Sequence, residues 1–261
     1  MLTGRIMLIL ASLNHLGRAL LIALRYCSFR SQFKTLEGGA ERKVLDYQLV
    51  QSRLLPHLAF AFANFFVFKR VKREYEKVKK QVLNNERDEL GQLHAIVAGV
   101  KAFMTRDSSR GIEECRECCG GHGFLKSSGL SYFYEQQSPF ITLEGEEAVM
   151  AQQTARDLLK NYQKALTGKE TSSITRYLER STELLSSKAN IRSERDLTLG
   201  KIEEALTVRA CYSVSEVAKE VVDMQQEGLK MGEIWNENVQ SDLIRAARHH
   251  CELFSFSTFR S

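Results

Sequence analysis

The chain contains 261 residues, a length that allows one large domain or two domains of ordinary size. Hydrophobic residues make up 43% of it and charged residues 26%, so the composition excludes an intrinsically disordered chain. The formal net charge of +5 is too small to indicate nucleic-acid binding by itself.

Long helices are the main structural prediction, because the chain has only 2 prolines, far below the usual content of about 5%. This scarcity argues against a β-sandwich or a β-barrel and favours an all-α fold. Apolar residues repeat at helical spacing, which predicts helices at residues 2–31, 44–83, 86–105, 110–119, 143–166, 194–231 and 235–259. A glycine-rich loop at residues 36–40 follows the first helix, and an irregular glycine-rich segment follows the fourth.

The domain organisation follows from a polar stretch at residues 167–173. We predict a helical bundle at residues 1–168, a linker at 169–193 and a second helical domain at 194–261. No segment shows the alternation that is typical of a β-strand.

Two apolar runs have some features of targeting or membrane segments. Residues 6–13 follow Arg5 as in a signal peptide, but their helical spacing continues as far as Cys27, which indicates an amphipathic helix. Residues 54–68 contain Pro56 and fall short of the roughly 20 apolar residues that span a bilayer. We therefore predict that residues 54–68 form a helix buried on most sides, and we predict no membrane span.

The cysteines show no spacing typical of a disulfide framework, which favours a reducing compartment over secretion. Cys115, Cys118, Cys119 and His122 resemble half of a zinc motif. Because these cysteines lie on a predicted helix and no second pair follows, we assign no metal site. Packing of small side chains at a helix end is the favoured interpretation.

Two further motifs have both a functional and a structural interpretation. Gly120 and Gly121 expose bare backbone that suits a phosphate or a planar ring, although a turn at a helix end is favoured by pattern alone. The charged run at residues 69–80 could attract nucleic acid or anionic lipid. It includes Glu74 and Glu76, so a solvated helix end is the favoured interpretation and no nucleic-acid partner is predicted.

Glu144 is the carboxylate with the strongest catalytic pattern. It lies at the predicted start of a helix, behind Thr142 as a candidate N-cap, and after the apolar residues 139–141. The helix dipole favours its ionised form while apolar surroundings exclude water, which suits a base that removes a proton from carbon. The alternative is a simple favourable charge at a helix N-terminus, as expected for Glu146 and Glu147.

Several ordered motifs closely resemble the acyl-CoA oxidases, and together they span nearly the whole chain. They are ALRYCSFRSQF at 23–33, LDYQ at 45–48, ECCGGHGF at 117–124, SSGL at 127–130, SPFITLEGE at 138–146, QTAR at 153–156 and RAARHHC at 245–251. The chain is identified as a member of this family within the acyl-CoA dehydrogenase superfamily. His122 fits the oxidases better than the dehydrogenases.

The resemblance implies a flavoprotein with FAD as cofactor that converts a fatty acyl-CoA to the trans-2-enoyl-CoA. Electrons then pass to O2, giving hydrogen peroxide. Glu144 matches the glutamate that removes the α-proton, and its own backbone N–H is expected to donate to the thioester oxygen. We expect its side chain to be poorly hydrated and close to the Gly120–Gly121 turn.

The resemblance also implies the cofactor contacts. Arg30 and Phe33 match positions that meet FAD, typically the cofactor of a neighbouring subunit, and the fork of Arg30 suits a pyrophosphate. Gln48, Gly120 and Gly121 match further contacts with the cofactor. A homodimer in the peroxisome is the expected assembly and location.

The chain also departs from the family pattern. Family enzymes begin with a helical domain and a β-domain that covers the flavin, whereas no strands are predicted here. Glu147 stands where Asn is common, and the Ser-Lys-Leu ending read by peroxisomes is missing. We therefore expect a fragment or truncated form that binds FAD weakly and is inactive alone. The alternatives are a non-catalytic paralogue that pairs with a full-length subunit, and a dehydrogenase that uses a protein electron carrier.

Overall fold

The structure is a computed structural model that describes residues 1–34, 39–86, 89–188 and 192–261. Its helices are α1 Leu2–Phe29, α2 Gln48–Leu83, α3 Leu90–Cys118, α4 Gly121–Phe124, α5 Leu130–Gln137, α6 Glu147–Leu166, α7 Ser181–Ser186, α8 Leu199–Gln226, α9 Met231–Glu233 and α10 Gln240–Arg260. The all-α prediction is confirmed. Residues 36–38 of the predicted glycine-rich loop, and 189–191 of the predicted linker, lie outside the described residues.

One short antiparallel hairpin was not predicted. Strand β1, Ser31–Lys34, pairs with strand β2, Glu41–Lys43, and Ser31 lies opposite Lys43. Nearly all of its residues are exposed, so neither strand carries the apolar alternation that identifies a strand in a sequence.

Helix α3 replaces two predicted helices. The sequence predicted a break after residue 105, but the helix continues to Cys118. Gly111 lies inside this helix. A larger residue would not fit there, because a Cβ at this position would be 2.6 Å from Leu16 Cδ1 and 3.0 Å from His57 Nδ1. This glycine therefore permits close helix packing and does not end the helix.

The chain forms two compact units. The first comprises residues 1–68 and 103–146, and the second comprises residues 69–102 and 147–261. The predicted domain boundary near residue 168 stays a prediction. The first unit has an apolar core built mainly from small and branched side chains of α1 with residues of α2, α3 and α5: Leu16, Ala19, Leu20, Ala23, Cys27, Leu54, Ile112, Cys115, Cys119 and Leu130.

Close packing in the second unit also depends on a glycine. The Thr154 hydroxyl of α6 donates to the Ala95 carbonyl oxygen at 2.8 Å. A Cβ on Gly99 would meet the Cys251 sulfur at 2.6 Å and the Thr154 hydroxyl at 2.7 Å. Helices α6 and α10 therefore approach this part of α3 as closely as backbone allows.

The charged run at residues 69–80 is only partly solvated. Val71 and Val78 are buried, and Arg70 is half-buried with its guanidinium 4.6 Å from the centre of the Phe254 ring. Arg70 also donates to the Thr258 hydroxyl at 2.9 Å, and burial lowers its pKa. The interpretation of the run as a solvated helix end is therefore correct for most of its charges, which are exposed, and wrong for Arg70.

Helices α1 and α2 are long and apolar enough to cross a membrane by length and composition. Half of the most apolar window of α1 is buried inside the protein, as in the core helix of a packed bundle. The most apolar window of α2 is only 22% buried, so the prediction that residues 54–68 form a helix buried on most sides is wrong. Length and composition alone are weak grounds for a membrane span in either helix.

His250 is expected to make the second unit sensitive to acid. It is fully buried, and its ring shares a hydrogen bond of 3.1 Å with the Tyr177 hydroxyl. Burial lowers the pKa of His250 from 6.5 to about 4. The unfolded chain binds a proton at His250 more readily than the folded chain does. The contribution of the neutral His250 to stability is therefore present above pH 6.5 and lost as the pH falls towards 4. The loss should approach about 3 kcal/mol at most.

Urea unfolding of the wild type and of His250→Gln between pH 7.5 and 4 measures this contribution. The difference in unfolding free energy between the two proteins should shrink as the pH falls below 6.5. A difference that stays constant over this range would contradict the assignment.

Candidate functional site

Glu144 lies in a turn and not at a helix start. Helix α6 begins at Glu147, and the Thr142 hydroxyl donates to the Pro139 carbonyl oxygen at 3.1 Å, so Thr142 does not cap the helix as predicted. Glu144 has a φ of +59° and Gly145 a φ of +120°. A left-handed conformation at a non-glycine residue costs about 1–3 kcal/mol and is frequent at functional sites.

The first turn of α1 holds this strained turn in position. Arg5 is buried, with 2% of its surface exposed, and its Nε donates to the Glu144 carbonyl oxygen at 3.1 Å. Burial lowers the pKa of Arg5, and the charge of Glu144 opposes that shift. The Glu144 carboxylate lies over Gly4, where a Cβ would be 2.5 Å from its Oε1. Sequence analysis did not identify either contact, because a long stretch of chain separates these residues.

The Glu144 side chain is exposed in this chain, so the prediction of a poorly hydrated carboxylate is wrong for the isolated protein. Its backbone N–H donates no hydrogen bond within the part of the chain that the structure describes. This N–H lies beside an accessible carboxylate and is suited to donate a hydrogen bond to the carbonyl oxygen of a ligand.

Three predicted cofactor residues lie at the other end of α1. Arg30 caps the helix, and its carbonyl oxygen accepts from the Val44 N–H at 2.8 Å. Phe33 has a φ of +60° and is 68% exposed. The Tyr47 hydroxyl donates to the Gln32 carbonyl oxygen at 2.8 Å, which places Gln48, the first residue of α2, beside the hairpin. The side chains of Arg30 and Gln48 are exposed.

The glycine turn lies against the same end of α1. The His122 ring shares a hydrogen bond of 3.1 Å with the Tyr26 hydroxyl, one turn before Arg30. Gly120 has a φ of +55°, and a Cβ on Gly120 or Gly121 would meet no atom within 4 Å. This backbone is therefore open to close approach by a ligand.

The structure separates Glu144 from the five predicted cofactor residues. Glu144 contacts Gly4, whereas the glycine turn contacts Tyr26, and both contacts lie on the single helix α1. These positions are 22 residues apart, or about 33 Å at the rise of an α-helix. The expectation that Glu144 lies close to the Gly120–Gly121 turn is therefore wrong within one chain.

The cysteines beside the glycine turn are packed in the core. Burial raises the pKa of Cys27 to about 11 and that of Cys119 to about 12. Protonated thiols are poor metal ligands. No group of three or more His, Cys, Asp or Glu side chains is arranged to hold a metal ion among the described residues.

Two family models match the chain. One, described as "Acyl-CoA oxidase, C-alpha1 domain", matches residues 1–159, and the other, described as "Acyl-CoA oxidase", matches residues 198–261. Together they include every predicted site residue and the last two long helices.

Similar proteins and structures are acyl-CoA oxidases. The peroxisomal acyl-coenzyme A oxidase 1 of Mus musculus is 34% identical over 98% of this chain and 39% of its own length. That of Arabidopsis thaliana is 35% identical over 94% of this chain and 36% of its own length. The crystal structure of an acyl-CoA oxidase from Lycopersicon esculentum (tomato) has a TM-score of 0.93 and 34% identity, covering 99% of this chain and 39% of that one.

A Caenorhabditis elegans acyl-CoA oxidase crystallised with FAD and ATP is also similar. Its TM-score is 0.89 at 29% identity, covering 99% of this chain and 38% of that one. The chain thus spans less than two fifths of the length of these relatives.

Proposed function

Because this chain belongs to the acyl-CoA oxidase family, we propose that it carries the catalytic base and part of the FAD site of such an enzyme. The reaction is α,β-dehydrogenation of a fatty acyl-CoA to the trans-2-enoyl-CoA, with O2 as electron acceptor and hydrogen peroxide as product. The observation that supports it most is the left-handed turn at Glu144, which Arg5 holds. The names of the relatives support a peroxisomal location.

Glu144 acts as the base in this proposal. Its carboxylate accepts the α-proton, and its backbone N–H donates to the thioester oxygen as negative charge develops there. Both groups belong to one residue whose backbone is fixed, so the proton acceptor and the oxyanion donor keep a constant geometry. The chemistry that FAD supplies when bound is acceptance of the β-hydrogen with its electron pair, and transfer of two electrons to O2.

The cluster at the other end of α1 fits a dinucleotide cofactor. Arg30 offers a guanidinium fork for a pyrophosphate, and Gly120 with Gly121 offers backbone that no Cβ shields. Phe33 presents an exposed ring and Gln48 an exposed amide to the same neighbourhood. These groups would bind and orient the cofactor, while none of them accepts a proton.

The distance of about 33 Å along α1 supports a homodimer. Glu144 of one chain therefore cannot reach the flavin ring of an FAD whose pyrophosphate lies at the glycine turn of the same chain. In a dimer, the cofactor residues of one subunit would contact the FAD that serves Glu144 of its partner. A monomer would therefore have an incomplete site.

Peroxide yield tests the proposal. The chain is fused behind the preceding domains of the Arabidopsis thaliana relative, loaded with FAD and mixed with a fatty acyl-CoA under air. We expect the flavin absorbance to bleach and one hydrogen peroxide to form for each enoyl-CoA. Bleaching without peroxide would indicate a dehydrogenase that needs a protein electron carrier, and an unbleached flavin would contradict the proposal.

A second candidate is a non-catalytic module that pairs with a full-length subunit. Leu55, Phe62 and Phe66 are exposed on α2, at 47%, 61% and 43%, and a helical face of this kind is suited to a protein contact. Stoichiometric FAD binding with oxidation of acyl-CoA by the chain alone would exclude the module.

A further inference from the structure

A long open groove lies between α6 and α8 in the second unit, which contains none of the predicted site residues. Its volume is about 750 Å³, and 14 of the described residues line it. Leu166, Val222 and Met231 contribute to its walls and are 64%, 48% and 48% exposed. So much apolar surface at one place indicates a binding site for an apolar group. We call it the α6–α8 groove.

The charge of the groove is positive. Arg156 and Lys160 line it, and the described lining includes no Asp or Glu. Lys160 lies near the carboxylate of Asp157, whose pKa it helps to lower against the effect of burial. Arg156 has no carboxylate partner among the described residues, so it is the cation available to an anionic ligand.

Trp235 fixes Arg156 at one end of the groove. The guanidinium carbon lies 5.2 Å from the centre of the indole ring, and the indole N–H donates to Gln152 Oε1 at 2.8 Å. Trp235 belongs to a π-helical turn, Ile234–Asn238, a geometry that is frequent at functional sites. The positive group therefore has a defined position beside an aromatic face.

The dimensions favour a small amphipathic molecule over a protein partner. From Arg156 to Leu166 the groove follows α6 for about 15 Å, with a cation at the start and an exposed apolar side chain at the end. Its volume falls within the range of about 300–1,000 Å³ that is typical of ligand sites. A stable protein interface uses about 20–30 residues on each side, more than the groove offers.

We propose that the α6–α8 groove binds the anion of a free fatty acid. The carboxylate pairs with Arg156, and the acyl chain lies along α6 and α8 towards Leu166. This site is separate from the residues assigned to the dehydrogenation, so the proposal does not depend on the role of Glu144.

The chain contains a single tryptophan, Trp235, which reports on the groove directly. Titration of the purified chain with dodecanoate, below its micelle concentration, should give a saturable change in tryptophan fluorescence. Arg156→Gln should raise the Kd about tenfold or more, as expected for loss of a charge-assisted hydrogen bond. Val222→Asp places an acidic group in the wall and should weaken binding similarly.

Matched controls distinguish binding in the α6–α8 groove from non-specific binding of dodecanoate to the protein surface. Lys219→Gln removes an exposed cation of α8 outside the lining and should leave the Kd unchanged. Dodecanol has the same chain without the charge and should bind at least tenfold more weakly. Circular dichroism establishes that each variant is folded before titration.

Three results would overturn the proposal. The first is that dodecanoate gives no saturable change in tryptophan fluorescence. The second is that the wild type and Arg156→Gln bind dodecanoate with equal Kd. The third is that the wild type binds dodecanol as tightly as dodecanoate. A change in tryptophan fluorescence with protein concentration alone, removed by Val222→Asp, would assign the groove to a second copy of the chain instead.

Discussion

Replacing Glu144 by Gln in the FAD-loaded fusion is expected to slow flavin bleaching by about 10²–10⁴-fold. The amide has nearly the same shape as the carboxylate but cannot accept the α-proton. The backbone N–H and the contact of the carbonyl oxygen with Arg5 remain, so binding of acyl-CoA should change little. Stopped-flow absorbance at saturating acyl-CoA measures the rate of the reductive step.

Glu146→Gln is the matched control, because Glu146 is an exposed carboxylate two residues away. It should leave the rate of bleaching within about twofold of the wild-type rate, since exposed substitutions have small effects. Equal rates for Glu144→Gln and the wild type would remove Glu144 from the mechanism.

Replacing Gly123 by Ala is expected to lower the free energy of unfolding by about 3 kcal/mol or more. Gly123 is buried, and a Cβ there would overlap the carbonyl oxygen of Arg116. The obstruction is backbone, so it cannot rotate away as a flexible side chain would. Urea unfolding of the chain, followed by circular dichroism, gives the change in midpoint.

Gly121→Ala provides the contrast within the same motif. A Cβ on Gly121 would meet no atom within 4 Å, so this variant should unfold within about 1 kcal/mol of the wild type. Equal unfolding midpoints for the two variants would contradict the close-packing role of Gly123. Within the GGHG motif, Gly123 is therefore required by close packing, whereas Gly120 and Gly121 are not, and the sequence alone does not reveal this difference.

Much of the helical architecture was predictable from the sequence. The apolar spacing located α1, α2, α8 and α10, because each helix must bury one face. The break predicted after residue 105 was wrong, because α3 continues through the polar residues 106–109, of which Ser108 and Ser109 are buried. Helix α5 lies in the segment predicted as irregular, where frequent glycines concealed its short apolar face.

The predicted site residues also divide into a group that the sequence located and features that it did not reveal. The motifs grouped Arg30, Phe33 and Gln48 in a short span of sequence, and local hydrogen bonds keep them together in space. The conformation of Glu144 was not predictable, because a positive φ at a glutamate depends on distant groups that stabilise it. The separation of Glu144 from the glycine turn was not predictable, because it depends on the contact of Glu144 with Gly4, and a long stretch of chain lies between these two residues.

The contact between Gly4 and Glu144 limits how this protein can evolve. The two residues are 140 positions apart, yet any side chain at position 4 would occupy the space of the carboxylate. A homologue with a larger residue at position 4 must therefore hold the glutamate side chain in another rotamer, or have moved the glutamate turn or the start of α1. We expect these two segments to covary, and a change in the first turn of α1 to act on the Glu144 carboxylate.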